Sequence, residues 1–369
     1  MRVLVAPDKF KGTLTAGEAA RAIATGWRRM RPDDEIDEVP MADGGEGTLD
    51  ALVEAIGGER HTATVAGPLG DAVDADYGIA TGADGAIGIV EMAGASGLEL
   101  LSEDRRDPRR TTTQGTGELI LAAAAFEPVQ MIVCIGGSAT NDGGAGMAQA
   151  LGVRLATAEG SDIGPGGEAL LELASIDVGG LDQRLRNLPF LVACDVDNPL
   201  CGPEGASAVY GPQKGAAPDD VALLDRALGH YAAVLHRDLG LDIRDTPGAG
   251  AAGGLGGGLI AFLGARLRPG IDVVMEAVHL GERVAGADLV ITGEGSFDDQ
   301  SLHGKTAIGV VNSAREAGTE VAILCGRAGV SLPDVQVSSL VDALGEERAM
   351  GDTRLALEDL AQSLAASRG

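Results

Sequence analysis

Aromatic side chains make up only 2% of this 369-residue chain, and just four of its 28 basic residues are lysines. The shortage of aromatics removes the stacking platforms on which readers of single-stranded nucleic acid depend. Charge points the same way: 55 acidic against 28 basic residues give a formal net charge of −27, a field that repels nucleic acid and anionic membrane surfaces. Both are set aside as partners. The four cysteines (Cys134, Cys194, Cys201 and Cys325) contain no CxxC pair, and their spacing suits neither a disulfide framework nor a zinc site. Three of them close apolar runs, as small buried residues near strand ends do. The five histidines form no HxxxH or HExxH pattern. No apolar stretch approaches a membrane span, and the run Val3–Ala6 is far too short for a signal sequence. A soluble, cytoplasmic protein is expected.

The few lysines fall in Gly-rich, turn-like loops: Lys9 and Lys11 in Ala6–Thr13, Lys214 in Tyr210–Gly215, and Lys305 in Leu302–Thr306. Arginine serves everywhere else. A compact ammonium is not interchangeable with a guanidinium where a point charge must meet a phosphate or carboxylate oxygen. These lysines therefore read as ligand-facing, against the plainer alternative of surface loops in an arginine-rich protein. Glycine is abundant, with 57 residues in short clusters between apolar runs and no collagen-like period. That pattern fits close backbone approaches to a ligand.

A chain of 369 residues is too long for one ordinary core, so two domains are expected. At the N-terminus a buried strand (2–6) is followed by a helix (16–29), with Thr15 as N-cap and Glu18 completing a capping box. A strand at 35–39 and a helix at 48–56 follow. The C-terminal part resumes this rhythm with strands at 288–292, 320–325 and 338–341 and helices at 305–317 and 353–366. Strand–helix alternation predicts a parallel sheet covered on both faces. Between these parts, alternating strands at 62–66 and 73–79 flank the hairpin-like Gly67–Asp71. The expectation is an α/β protein in which residues 1–67 and 285–369 form one discontinuous domain and 68–284 a second, inserted α/β domain.

Four apolar strands run directly into polar, Gly-rich loops: Met41–Thr48, Gly136–Met147, Asp195–Gly202 and Gly293–Gln300. In open α/β sheets ligands sit outside the carboxyl ends of strands, so these loops are candidate walls of one site. Gly136–Met147 reads as a phosphate cradle, its glycines freeing backbone N–H groups and Ser138, Thr140 and Asn141 adding donors. Asp195 and Asp197 lie two residues apart and would share a face of extended backbone. Two such carboxylates suit Mg2+, and one could act as general base on a hydroxyl. Equally, Asp-Asn-Pro is a turn signal, and Asp298 and Asp299 pose the same alternatives. The Gly304–Thr306 run is no P-loop, because the required earlier glycine is replaced by Asp299. Gly248–Gly253 matches G-x-G-x-x-G but follows no buried strand, so close packing is the better reading than a dinucleotide site.

Taken together and in order, these loops resemble the bacterial type I glycerate kinase family. The matching signatures are Ala6–Gly12, Pro40–Thr48, Gly136–Gly144, Ala193–Leu200, Tyr210–Gly215, Gly248–Gly258 and Thr292–Asp298, spread over essentially the whole chain. Lys9 departs from the pattern, where family members often carry serine. The resemblance implies phosphorylation of D-glycerate by ATP with Mg2+, usually giving 2-phosphoglycerate, in a cleft between two α/β domains. It also implies that the discontinuous domain is Rossmann- or flavodoxin-like. Phosphoryl transfer asks mainly for positioning and charge neutralisation, which nests, lysines, a cation and a carboxylate can supply. On this reading Asp195 is base or metal organiser and Asp197 its metal-binding partner. Lys11 meets a phosphate or the glycerate carboxylate, and Asp43 lies near the substrate or metal. Ser138, Thr140, Asn141 and Asp142, with Gly44 and Gly45, bind substrate or phosphate. Gly293, Glu294, Gly295, Ser296, Lys305 and Lys214 approach the nucleotide. The protein would act as a monomer or homodimer. The alternatives are a kinase of a related hydroxy acid, an NAD-dependent hydroxy-acid dehydrogenase using Gly248–Gly253, and a non-catalytic glycerate or nucleotide sensor.

Overall fold

The computed structural model describes residues 1–82, 84–302 and 305–368, and the chain divides into two compact units. Unit 1 holds Met1–Asp43, Asp50–Gly57 and the chain from Ile271 onward; unit 2 holds Gly44–Leu49 and Gly58–Gly270. His303 and Gly304 of the Leu302–Thr306 loop lie outside the described residues. Among the described residues no helix is long and apolar enough to cross a membrane.

The chain enters unit 1 through β1 (Arg2–Val5), α1 (Ala16–Met30) and β2 (Glu35–Glu38). The start of α1 is fixed by the expected capping box: Glu18 N donates to Thr15 Oγ1 at 3.2 Å, and Thr15 N donates to the Glu18 carboxylate at 2.9 Å. The buried face of α1 carries Ala19, Ala20, Ile23 and Trp27. The indole N–H of Trp27 donates to Asp34 at 2.9 Å, so the chain's one tryptophan is buried without an orphan donor. The helix α2 (Thr48–Ile56) follows.

Unit 2 begins with β3 (Gly58–Ala66) and β4 (Ala72–Gly82), an antiparallel hairpin whose turn is closed by Gly67 N donating to Asp71 O at 2.7 Å. Then come β5 (Gly85–Glu91), α3 (Gln114–Ala124), β6 (Gln130–Cys134), β7 (Phe190–Ala193), α4 (Pro218–Leu239), α5 (Leu255–Leu263) and β8 (Arg266–Arg268). The six strands lie in the order β8-β7-β6-β5-β4-β3. The first four are parallel, β4 is antiparallel to β5, and β3 is antiparallel to β4. As expected of parallel strands covered on both sides, β7 is an uninterrupted buried run.

The chain returns to unit 1 as β9 (Leu289–Thr292), α6 (Thr306–Ala317), β10 (Glu320–Cys325), β11 (Gln336–Ser339) and α7 (Thr353–Ala366). The five strands of this sheet are all parallel, in the order β11-β10-β9-β1-β2. Val3, Val5, Leu289, Ile291, Ala322 and Leu324 share one core with residues of α1 and α7. The intervening Leu4, Val290 and Ile323 are equally buried, and the period of two puts them on the other face. Gly26 of α1 lets this helix approach α7 closely, since a Cβ there would overlap the Glu358 backbone carbonyl. From β1 the chain proceeds to β2 on one side, while β9, β10 and β11 build outward on the other. The β1/β9 junction is therefore a topological switch point, where an open α/β sheet leaves a crevice.

Two expectations need adjustment. A division after residue 67 would cut the β3–β4 hairpin, but β3 pairs along its length with β4 and belongs to unit 2, whereas Ile271–Val284 belongs to unit 1. The strand expected at 338–341 lies at Gln336–Ser339, because Ser339 Oγ accepts Asp342 N at 3.2 Å and caps a short helix that begins at Leu340.

Candidate active site

In unit 1 the loops beyond β1, β2 and β9 stay hydrogen-bonded to one another past the ends of the strands. Ala6 N donates to Ile291 O at 2.8 Å, Asp8 N to Gly293 O at 2.8 Å, and Met41 N to Pro7 O at 2.9 Å. A glycine is required at 293, since a Cβ there would overlap the Leu324 carbonyl of β10. This register brings the Asp8 carboxyl at the switch point within electrostatic reach of both Asp43 and Glu294. Asp8 is 9% exposed. Its carboxylate accepts Lys9 N at 2.6 Å and the hydroxyl of Thr306, the first residue of α6, also at 2.6 Å. Burial pushes the Asp8 carboxyl up to about 6; the Thr306 bond works against this, and the Asp43 charge adds to it. Glu294 is 8% exposed, and its Oε1 is buried without a hydrogen-bond partner. Burial pushes its carboxyl up to about 7, opposed by Ser301 and reinforced by Asp8. Cys325, closing β10, is driven up to about 12 by burial and by the Glu294 carboxylate, which makes its thiol inert. Lys11 is exposed, Ser296 is exposed, and Lys305 precedes α6 at its N-cap.

In unit 2 the ends of β5, β6 and β7 and the segment Gly44–Leu49 come together. Glu91, the last residue of β5, accepts Gly47 N and Leu49 N, each at 3.2 Å. Gly44 has φ +88°, and a Cβ there would lie 2.8 Å from Ala193 Cβ and 2.9 Å from Gly270 Cα. Gly45 lies against Gly136, where a Cβ would be 3.3 Å from its Cα. Asp195 follows β7 and accepts Gly270 N at 2.7 Å. Asp195 and Asp197 are both exposed.

The Gly136–Met147 loop is built around a carboxylate of its own. Asp142 is fully buried and accepts Thr113 N at 2.8 Å, Thr113 Oγ1 at 2.9 Å, and Gly144 N and Gly146 N at 3.2 Å each. Two of those donors, Gly144 N and Gly146 N, are backbone groups that a phosphate would take in the expected cradle, so in residues 142–147 the protein turns them to its own carboxylate. Burial pushes the Asp142 carboxyl up, against these four hydrogen bonds. Lys214 is 1% exposed; its ammonium donates to Ser138 Oγ at 2.8 Å and to Thr140 O at 2.6 Å. Lys214, expected near the nucleotide, is thus packed against the Gly136–Met147 loop of its own unit. Asn141 donates to Ser207 Oγ at 2.9 Å, while Thr140 Oγ1 and Asn141 Oδ1 are buried without partners. The Gly248–Gly253 run backs the same loop. Gly253 O accepts Gly143 N at 3.0 Å, and a Cβ on Gly253 would overlap the Thr140 carbonyl.

The structure thus gathers Gly44, Gly45, Gly136 and Asp195 in unit 2, and Asp43, Gly293 and Glu294 in unit 1, with Lys305 at the head of α6. Two carboxylates escaped the sequence reading. Asp8 was hidden inside the Ala6–Gly12 motif beside two lysines. Glu91 was signalled only by being an acid that ends the apolar strand β5.

The glycerate kinase family model matches residues 3–368. The chain belongs to the glycerate kinase family. Glycerate kinase of Bacillus subtilis (strain 168) is 53% identical over 326 residues, covering 88% of this chain and 85% of that protein. Glycerate 2-kinase of Escherichia coli (strain K12) is 50% identical over 337 residues, covering 91% and 87%. A crystal structure assigned as a glycerate kinase 2 from Salmonella typhimurium LT2 superposes with a TM-score of 0.92 at 48% identity, covering 100% of this chain and 98% of that one.

Within this glycerate kinase fold, the buried Lys214 yields a prediction. Burial pushes its ammonium down from 10.5 to about 7, with the Asp142 charge opposing. Between these values the unfolded chain binds the proton and the folded chain does not, so the Lys214 contribution to stability rises with pH from about 7 toward 10.5. Lys214→Met keeps the apolar stem and removes the donor to Ser138 and Thr140. Urea unfolding should show a loss of about 1–3 kcal/mol and no such rise. Equal pH slopes in the two proteins would assign the titration to another group.

Proposed function

We propose that this protein transfers the γ-phosphoryl group of ATP to D-glycerate, giving 2-phosphoglycerate and ADP. The reading rests above all on kinship along the whole chain, with glycerate kinases and a glycerate 2-kinase among its relatives. The residues offer what phosphoryl transfer needs, which is anion-binding backbone, compact cations and well-placed carboxylates.

In unit 1 the Gly293–Ser296 loop and Lys305 approach the nucleotide, at a switch point and beside the N-terminus of α6, where an anion is favoured. Lys11, exposed in the turn after β1, meets a phosphate or the glycerate carboxylate, and Asp43 lies by the substrate. In unit 2 the part of the β6 loop from Gly136 to Asn141, with Gly44 and Gly45, binds substrate or phosphate. The unpartnered Thr140 Oγ1 and Asn141 Oδ1 support a polar ligand there, since buried polar atoms normally have partners. Lys214 and Asp142 act by shaping this loop.

No group of three or more His, Cys, Asp or Glu side chains that could hold a metal ion is found among the described residues. Mg2+ does not need one, because it is usually held by one or two carboxylates together with waters and substrate phosphates. The exposed Asp195 and Asp197 fit that requirement. When bound, Mg2+ neutralises charge on the transferring phosphoryl group.

The test is ADP release from ATP and Mg2+ with D-glycerate, the product being identified by phosphorus NMR. A 2-phosphoglycerate signal is expected. Folded protein that binds glycerate yet releases no ADP would overturn the reading.

A further inference from the structure

In unit 1 the loop that approaches the nucleotide carries a buried carboxyl group, which phosphate binding by itself does not require. Glu294, two residues before the exposed Ser296, is 8% exposed, with Oε1 lacking any hydrogen-bond partner. Its neighbour Asp8 is nearly as buried, but both its oxygens are occupied, one by Lys9 N and the other by the Thr306 hydroxyl. Two adjacent carboxyl groups with such different surroundings divide the labour. Asp8 is provided for as the ion, and Glu294 is left with an oxygen in need of a donor.

We propose that Glu294 is the proton acceptor for the substrate hydroxyl, with Asp8 as the positioning residue that keeps it basic. This rests on the glycerate kinase reading. In the step, the hydroxyl O–H bond breaks and its proton passes to Glu294 Oε1. A bond forms between that hydroxyl oxygen and the γ-phosphorus of ATP. The bond from the γ-phosphorus to the β–γ bridging oxygen breaks, and ADP leaves with the electron pair. The hydroxyl is the donor that Oε1 lacks, and catalytic hydrogen bonds often form only once substrate is in place.

The groups facing Glu294 agree with this role. Asp8 comes from the loop after β1, Asp298 and Lys305 from the stretch that follows Glu294, and Cys325 from the end of β10. Burial and the Asp8 charge outweigh Ser301 and Lys305, and the carboxyl titrates near neutrality, at about 7, where a general base is most effective.

The experiment is the pH profile of kcat/KM for D-glycerate in the wild type, Glu294→Gln and Asp8→Asn, with thermal melts of each across the same range. Wild-type activity should fall below about pH 7 as Glu294 takes up its proton. Glu294→Gln should lose roughly 10²–10⁴-fold and show no acid limb near 7, any limb left being that of Asp8 near 6. Asp8→Asn should move the limb to lower pH, because the charge that raises Glu294 is gone. The melts give a readout that needs no turnover. The raised carboxyl contributes stability that is fully present below 4.5 and lost as pH rises through about 7. The wild type should therefore lose melting temperature relative to Glu294→Gln across that window. Near-normal turnover in Glu294→Gln, or an acid limb that stays near 7, overturns the proposal while leaving glycerate phosphorylation standing. Melts that run parallel also overturn it. A wild type inactive on glycerate at every pH overturns the kinase reading and the proposal with it.

Discussion

Replacing Asp195 by asparagine is expected to raise the Mg2+ concentration needed for half-maximal glycerate phosphorylation by at least about 10–100-fold, the loss seen when only the outer support of a metal ligand is removed. Asparagine keeps the oxygen that accepts Gly270 N at 2.7 Å, so the local backbone should hold its course. What disappears is the negative charge, and a neutral amide is a poor substitute for a carboxylate toward a hard cation. Asp195 is exposed, so the change creates neither a cavity nor a buried unpaired group. The check is a Mg2+ titration at saturating ATP and glycerate, alongside a thermal melt. An unchanged Mg2+ requirement with wild-type turnover would remove Asp195 from the metal site. An unchanged requirement with collapsed kcat would make it a group acting on the reactants themselves.

Gly253→Ala should be the most damaging single methyl group in unit 2. The residue has φ +69°, a left-handed conformation that costs an L-residue about 1–2 kcal/mol. The new Cβ would also overlap the Thr140 carbonyl, which is backbone and cannot swing aside. Overpacking of this kind adds about 1–3 kcal/mol. A fall in melting temperature on the order of 10 °C follows for a unit of this size. Thr140 O already accepts the Lys214 ammonium, so displacement of Gly253 is transmitted to Ser138 through the same lysine. The variant should therefore also bind glycerate more weakly. Differential scanning calorimetry and the glycerate KM provide the two readouts. A melting temperature within a degree or two of wild type would mean that the loop has another way to accommodate the methyl group.

Much of unit 1 was legible because its signals are local. Thr15 and Glu18 announce the start of α1 within four residues, and the buried runs of β1, β9 and β10 sit next to their own helices. Residues 353–366 were read as a helix, and α7 spans Thr353–Ala366. The hairpin at Gly67–Asp71 was equally local, yet the unit it belonged to was not. Alternation at Thr62–Ala66 says that one face is buried but not against which sheet, and cross-strand partners on β4 decide that. The candidate site shows the same divide. Loops at strand ends could be found from composition, because glycine next to Asp, Ser and Thr is a short-range pattern. The fate of Lys214 could not, since its burial depends on Ser138, 76 residues away. Asp142 looked like a ligand-binding acid beside Asn141, and only the fold brings Thr113 round to enclose it. The pairing of Asp8 with Glu294 requires β1 to lie beside β9, which no local signal reveals.

That pairing also governs how the molecule comes into being on the ribosome. Arg2 N bonds to the Asp288 carboxylate, a separation of 286 residues, and the whole of β1 runs beside β9. At roughly 5–20 residues per second, translation supplies β9 some 15–60 s after β1 has emerged. Throughout that interval β1 and β2 are two strands of an unfinished sheet, with apolar Val3, Leu4 and Val5 uncovered. Unit 2, whose strands all lie between Gly58 and Arg268, has every strand of its sheet before β9 exists. The nascent chain therefore matures from its middle, and its first-made residues are among the last to be locked in. Long-range closure of this kind slows folding, and it makes the exposed N-terminal strands the segment most in need of chaperone cover.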